Sequence, residues 1–245
     1  MLSKTHAKYI QSLHHKKFRD EEGLFIAEGG KVVLELLESG SFVCKELFAV
    51  NDWLQDNEMT IRRSYSGAFE TVTEMELEKI SALSTPNQVL AVFYKGIKVP
   101  IDIKGKVSLM LDMIQDPGNL GTIIRIADWF GISTIICSEG TADIYNPKVV
   151  QSTMGSLGRV NSHYADLHEI LQQHKTIKAY AAALNGKDIA SIKGIKEGII
   201  IIGNESKGIS PSLLELAGEK ITIAKKGNAE SLNAAVAAGI ILSHI

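Results

Sequence analysis

GIIIIGNESKGIS, residues 198–210, sets four consecutive isoleucines, Ile199 to Ile202, between two glycines and then runs into an amide, a carboxylate and a serine. A β-branched run with no polar alternation is what a strand covered on both faces looks like, and such strands belong to parallel sheets. Gly203 lets the backbone turn or approach another group closely. Glu205 arrives just past the strand end, where parallel sheets bind ligands. For Glu205 alone, a solvated loop carboxylate is the plainer reading.

Outward from this strand, further strands are predicted at VSLMLDMI (107–114), STIICS (133–138), IKAYAAA (177–183) and KITIA (220–224), with helical sequence between most of them. That alternation predicts a parallel sheet with helices on both faces. Ser210 is placed as an N-cap, Pro211 as the first helical residue and Gly218 as the stop. A Gly-, Lys- and Pro-bearing break, KGIKVPIDIKGK at 95–106, separates this region from an earlier one. The boundaries predicted from it are a first domain at 1–96, a linker at 97–106 and a second domain at 107–245. The first domain carries strands at LFIAEG (24–29), ELFAV (46–50), FETVT (69–73) and QVLAVFY (88–94), with helices near 30–39 and 74–82. Thr73 and Glu76 have capping-box spacing for the second of these helices.

Two more loops have the content of a ligand site. In DPGNLGTIIRIADWFG, Asp116 to Asn119 predict a turn after an apolar strand, with helix formers resuming at Leu120 and backbone N–H groups left for an oxygen-rich ligand. Arg125 stands between two isoleucines of mostly apolar sequence, where a buried guanidinium needs a partner. An ion pair with Asp116 or Asp128 is the simple account, as a helix cap is for Asn119. In KKGNAESLNAAVAAG (225–239), Ser231, Leu232 and Asn233 precede a helix of small residues that permits close backbone approach. Ser231 alone would pass as an N-cap, and core packing alone would explain the alanines. The G-x-G-x-x-G spacing of a dinucleotide site is missing, since the first loop has glycines at 118 and 121 only; there is no phosphate-binding G-x-x-x-x-G-K-[ST] either.

Together, in this order, the three loops resemble the three signature motifs of the SpoU (TrmH-like) branch of the SPOUT RNA methyltransferases. The resemblance covers 107–245 and extends more loosely to the first domain, and NPKVVQSTMGSLGRV (146–160) looks like the family's connecting helix. It implies an α/β fold: a C-terminal parallel-sheet SPOUT domain with a trefoil knot, preceded by a small α/β substrate-binding domain. It implies S-adenosylmethionine as cofactor, held by loops that here contain Ala183 and Leu184; Gly203, Asn204, Glu205 and Gly208; and Ile223, Lys225, Ser231 and Leu232. It implies a catalytic set of Asn119, Arg125, Glu205, Ser231 and Asn233 for methyl transfer to a ribose 2′-hydroxyl of rRNA or tRNA, and a homodimer. The chain departs from the family pattern at Ala224 and Lys225, where members have proline and methionine, at Ala234, where a valine is usual, and at Gln151, commonly basic.

The composition is compatible with this. The 245 residues are 45% hydrophobic and 22% charged, with net charge −2, which excludes a surface cationic all over but not a local basic patch. Through residue 19 the chain has Lys4, Lys8, His14, Lys16, Lys17 and Arg19 and no acid. A solvated basic helix explains them as well as phosphate contact does; the resemblance of this module to a substrate-binding domain favours RNA. Two cysteines cannot make a disulfide framework, and no metal-ligand spacing appears. The longest apolar stretch near the C-terminus, 234–242, is far short of the ~20 residues of a membrane span, so a cytoplasmic protein is expected. A non-catalytic RNA-binding relative and a Rossmann-type oxidoreductase are the rival readings.

Overall fold

The computed structural model describes residues 2–97, 99–192 and 194–245. The first part of the chain forms α1 (Lys4–Ser12), α2 (Lys16–Glu22), β1 (Leu24–Glu28), α3 (Gly30–Ser39), β2 (Cys44–Ala49), α4 (Asn51–Ser64), β3 (Phe69–Thr71), α5 (Glu74–Ile80) and β4 (Val89–Tyr94). There follow β5 (Val107–Asp112), α6 (Pro117–Trp129), β6 (Thr134–Cys137), α7 (Pro147–Thr153), β7 (Asn161–Tyr164), α8 (Leu167–Gln173), β8 (Ala179–Asp188), β9 (Gly198–Gly203), α9 (Pro211–Leu216), β10 (Glu219–Thr222) and α10 (Ala234–Leu242). Two compact units result: Met1–Ile97 with Asp143–Arg159, and Lys98–Ala142 with Val160–Ile245.

The first unit holds a mixed sheet in the order β1-β4-β2-β3, with β4 antiparallel to both its neighbours and β2 parallel to β3. Helix α1 is amphipathic: Ala7 and Ile10 enter a core with Leu24, Ile26, Phe48, Leu77, Ile80 and Leu90, while Lys4 and Lys8 face solvent. The capping box forms as its spacing predicts, with Thr73 Oγ1 accepting from the Glu76 N–H and Glu76 Oε2 accepting from the Thr73 N–H. Segment 143–159, which carries α7, belongs to this unit. Its Asp143 accepts from Nε and Nη2 of Arg19, whose Nη1 donates to the carbonyls of Leu13 and His14.

The second unit is the parallel sheet that the isoleucine run predicts, in the order β10-β8-β9-β5-β6-β7. Ile199 and Ile201 join Met110, Ile136, Ala179 and Ala181 under α8 and α9, and Ile200 and Ile202 are equally buried on the opposite face. Asp112 pairs with Gly203 and Leu111 with Cys137, so β5, β9 and β6 end at one edge of the sheet, where β8 also leaves its pairing with β9 after Ala181. Their following loops therefore meet there. At the far side, β8 pairs with β10 at Tyr180 and Ala181, loops out, and pairs again at Lys187 and Asp188. A Cβ on Gly186 would lie 2.5 Å from the Lys220 carbonyl carbon, so the looped-out segment presses directly on the β10 backbone.

Some expectations change. β8 does not stop at 183 but resumes after its loop. α9 starts as predicted, with Ser210 at the N-cap position and Pro211 as its first residue, but Ser210 makes no side-chain cap hydrogen bond and the helix ends at Leu216, with Ala217 between it and Gly218. α4, with only Trp53, Leu54 and Ile61 buried among polar residues, and β7, an edge strand reading NSHY, carry too little apolar periodicity to be read from sequence. Both cysteines are free, and burial pushes each thiol up to about 12. Among the described residues no helix is long and apolar enough to cross a membrane.

Candidate functional site

The DPGN stretch is a helix start rather than a turn. Pro117 is the first residue of α6, and Asp116 is its N-cap, its Oδ1 accepting from the Asn119 N–H at 2.8 Å. An acid followed by proline at the first helical position was the available signal. Asn119 is thus not the cap, and its side chain is free to reach out of the helix.

It reaches two other loops. Asn119 Nδ2 donates to Glu205 Oε1 at 2.5 Å, and Asn119 Oδ1 accepts from Asn233 Nδ2 at 2.8 Å. Asn233, not Ser231, is the N-cap of α10: its Oδ1 accepts from the N–H groups of Ala235 and Val236 at 2.9 and 3.2 Å. The direction of the whole chain follows. Because the helix takes the Asn233 oxygen, its NH₂ must face Asn119; that fixes the Asn119 oxygen, and turns the Asn119 NH₂ toward Glu205. Three loops far apart in sequence are joined by two side-chain hydrogen bonds, the one to a carboxylate being the stronger kind.

The loop holding Glu205 is itself tightly built. A Cβ on Gly203 would fall 2.3 Å from the Gly208 carbonyl carbon, so only glycine fits where the chain folds back on itself. Asn204 and Gly208 exchange backbone hydrogen bonds at 3.1 and 2.8 Å.

Arg125 is exposed, contrary to the expectation that its apolar neighbours would bury it. On α6 the buried face is Leu120, Ile123, Ile124 and Ala127, whereas Thr122, Arg125 and Trp129 form the outward stripe. Ser231 is exposed, and its hydroxyl takes no part in the network among the described residues. Leu184 and Leu232 are exposed apolar side chains on the loops around the site, at 78% and 46%. Ala183 and Ile223 are half-buried and Lys225 exposed.

The expected basic surface is smaller than its sequence suggests. Arg19 is 1% exposed and bonded to Asp143, so it cannot touch an RNA. A guanidinium with five donors satisfies two carbonyls and a carboxylate at once, which is why it serves inside. Lys16 pairs with Asp20 at 2.5 Å, Lys17 with Glu21 at 3.9 Å, and His14 Nε2 lies 3.0 Å from the Ile80 carbonyl. Lys4 and Lys8 stay exposed. A cleft of about 790 Å³ opens in the same unit, but Asp52, Glu74 and Glu76 outnumber Lys79 along it, which makes it no phosphate cradle. Among the described residues no group of three or more His, Cys, Asp or Glu could hold a metal ion.

Residues 106–243 match the model of the SpoU rRNA Methylase family, and residues 4–91 that of the MRM3-like substrate binding domain. The chain belongs to the SpoU family. It is 34% identical over 241 residues to the Bacillus subtilis 23S rRNA (guanosine(2553)-2′-O)-methyltransferase RlmP, covering 96% of this chain and 93% of that one. It is 26% identical to the mitochondrial rRNA methyltransferase 3A of Danio rerio, over 93% of this chain and 64% of the relative. The AdoMet-bound rRNA methyltransferase of Sinorhizobium meliloti superposes with TM-score 0.87 at 31% identity, over 100% of this chain and 95% of that one. Within this SpoU chain Asp112, Met113 and Ser138 also shape the site and carried no sequence signal. Asp112 Oδ2 accepts from the Ser210 N–H at 2.7 Å, and Met113 has φ +58°.

Proposed function

We propose that the chain transfers a methyl group from S-adenosylmethionine to a ribose 2′-hydroxyl of rRNA or tRNA. The observation that carries this reading is the hydrogen-bonded chain Asn233–Asn119–Glu205, which ties together the three loops at one edge of the parallel sheet. A relative named as a 23S rRNA 2′-O-methyltransferase, and a similar structure that holds AdoMet, support it.

The residues fit such a cofactor. Gly203 permits a backbone too close for any Cβ, the looped-out part of β8 offers Leu184 and Ala183 as apolar surface, and Leu232 offers more. Gly208, Ile223, Lys225, Asn204 and Ser231 complete the proposed lining. When bound, the sulfonium supplies an electrophilic methyl group. The chain's own work is to align the nucleophile and manage its proton, and alignment is worth several orders of magnitude in such displacements. With the cofactor bound, its methyl would pass from sulfur, which would keep the electron pair, to the ribose oxygen, and the hydroxyl proton would leave to solvent or to a substrate phosphate. Arg125 is cationic at any ordinary pH, so it stabilises the developing alkoxide rather than taking the proton. Asn119 is held in one orientation by Asn233 and Glu205 and positions the ribose without reorganisation, while Ser231 lines the third loop.

Two further parts of the reading rest on the second unit. The looped-out segment of β8, pressed on Lys220 and Ile221, supports a C-terminal trefoil knot. Trp129, Phe130 and Val236, at 84, 39 and 49% exposed on the packed pair α6 and α10, support a homodimer through that face. Arg125 shares the Trp129 stripe, so the proposed catalytic cation lies beside the face that would meet a second copy. RNA grip falls to the first unit, with Lys4, Lys8 and the half-committed Lys16 and Lys17, and the protein acts in the cytoplasm. Its domains are taken as 1–96 and 107–245, with 97–106 linking them and with 143–159, though part of the second stretch, packed in the first unit. Isothermal titration tests the central reading: saturable binding of S-adenosylmethionine with none of NAD is expected, and no cofactor binding by a folded protein would leave a non-catalytic RNA-binding relative.

A further inference from the structure

Asn204 makes more contacts than a residue preceding a catalytic carboxylate needs. Its Oδ1 accepts from the N–H groups of Ser206 and Lys207 at 3.0 and 3.1 Å, which folds the loop around it. Its Nδ2, oriented by those two bonds, leaves the loop and donates to the Met113 carbonyl at 2.9 Å, just beyond the end of β5. Met113 is gripped from the other side as well: its N–H donates to Ser138 Oγ at 2.9 Å, and Ser138 lies 3.2 Å from Thr141 Oγ1. Between these two grips Met113 adopts φ +58°, a left-handed conformation that an unbranched non-glycine residue holds only when its surroundings impose it.

We propose that Asn204 is a positioning residue that locks the loop after β9 to the loop after β5 through the Met113 carbonyl, and thereby sets Glu205 against Asn119. This rests on the reading above for its catalytic consequence. Glu205 follows Asn204 directly, and Asn119 is the third residue of α6, which follows the short connection that Met113 opens, so the lock and the Asn119–Glu205 bond are two ties between the same two stretches of chain. One tie orients; two ties fix a distance. Asn204 acts through Glu205 and Asn119 and need not touch the methyl group or the ribose.

The test uses Asn204→Asp, which keeps the acceptor for Ser206 and Lys207 but sets an oxygen against the Met113 carbonyl. Amide hydrogen exchange is followed in peptides spanning 112–119 and 203–210, alongside single-turnover methyl transfer to RNA at saturating S-adenosylmethionine. The lock requires exchange to rise about five- to tenfold in both segments together. It also requires the transfer rate to fall about 10- to 100-fold with a smaller change in cofactor affinity. Loosening confined to 203–210, or an unchanged transfer rate, would overturn it. Asn204→Ser withdraws the same donor and is read the same way if the Asp variant does not fold. Exchange decides the lock whether or not the wild type methylates RNA; an inactive wild type would instead overturn the proposed function.

Discussion

Asn119 has both ends of its amide assigned, with Asn233 on the oxygen and Glu205 on the nitrogen, so a substitution that changes one end only is informative. Asn119→Asp keeps the oxygen for Asn233 but puts a carboxylate against Glu205. Methyl transfer should fall at least about 100-fold while thermal stability changes little, because the pair is half-buried and like charges at such a distance cost affinity for the active geometry first. The variant's rate in single turnover, beside its melting temperature, checks this. At this scale sequence reading reached Asn119, Glu205 and Asn233 by resemblance, but not the hydrogen bonds that join them. Ser231 and Asn233 are equally good caps on paper, and only the fold of the third loop gives α10 to Asn233. Arg125 looked buried because isoleucines flank it, yet one residue along a helix is about 100° of rotation, and its neighbours face inward while it faces out.

At the level of elements, the chain announced what had periodic apolar content or explicit caps. Thr73 with Glu76 is such a signal, and it makes a definite pH prediction. Hydrogen bonds from the Thr73 and Leu2 N–H groups hold the Glu76 carboxyl below its ordinary value. A lowered carboxylate contributes stability above its unfolded value, near about 4.3, and loses it as pH falls through the folded value. The stability gap between wild type and Glu76→Gln should therefore be present at pH 7 and close in acid, measured by urea unfolding. Thr73→Ala should cost about 1 kcal/mol. What no periodicity could announce is the partnership between α2 and the segment at 143–159. Arg19 is buried against Asp143, and removing one member leaves a stranded charge. Asp143→Ala should cost roughly 3–5 kcal/mol in the same unfolding experiment, whereas exposed pairs such as Lys17 with Glu21 should cost almost nothing.

For the whole molecule, the parallel sheet was readable from Ile199 to Ile202 and the strands like them, and the order of the three loops pointed to the family. The looped-out β8 was not readable, because Ala182 to Gly186 look like the tail of a strand until β10 is seen to pair on both sides of them. Trp129 at 84% exposed is a large apolar surface for one chain to leave open. If α6 and α10 meet a second copy, Trp129→Glu should turn a dimer into a monomer in analytical ultracentrifugation and lower methyl transfer with it. A dimer that survives the change would place the interface elsewhere. The most direct measurement of the central claim is labelled methyl transfer from S-adenosylmethionine to bacterial RNA, followed by nuclease digestion. The account predicts label in a nuclease-resistant 2′-O-methylated dinucleotide, lost in Asn119→Asp. Label on a base, or cofactor bound but no transfer to any RNA offered, would contradict it.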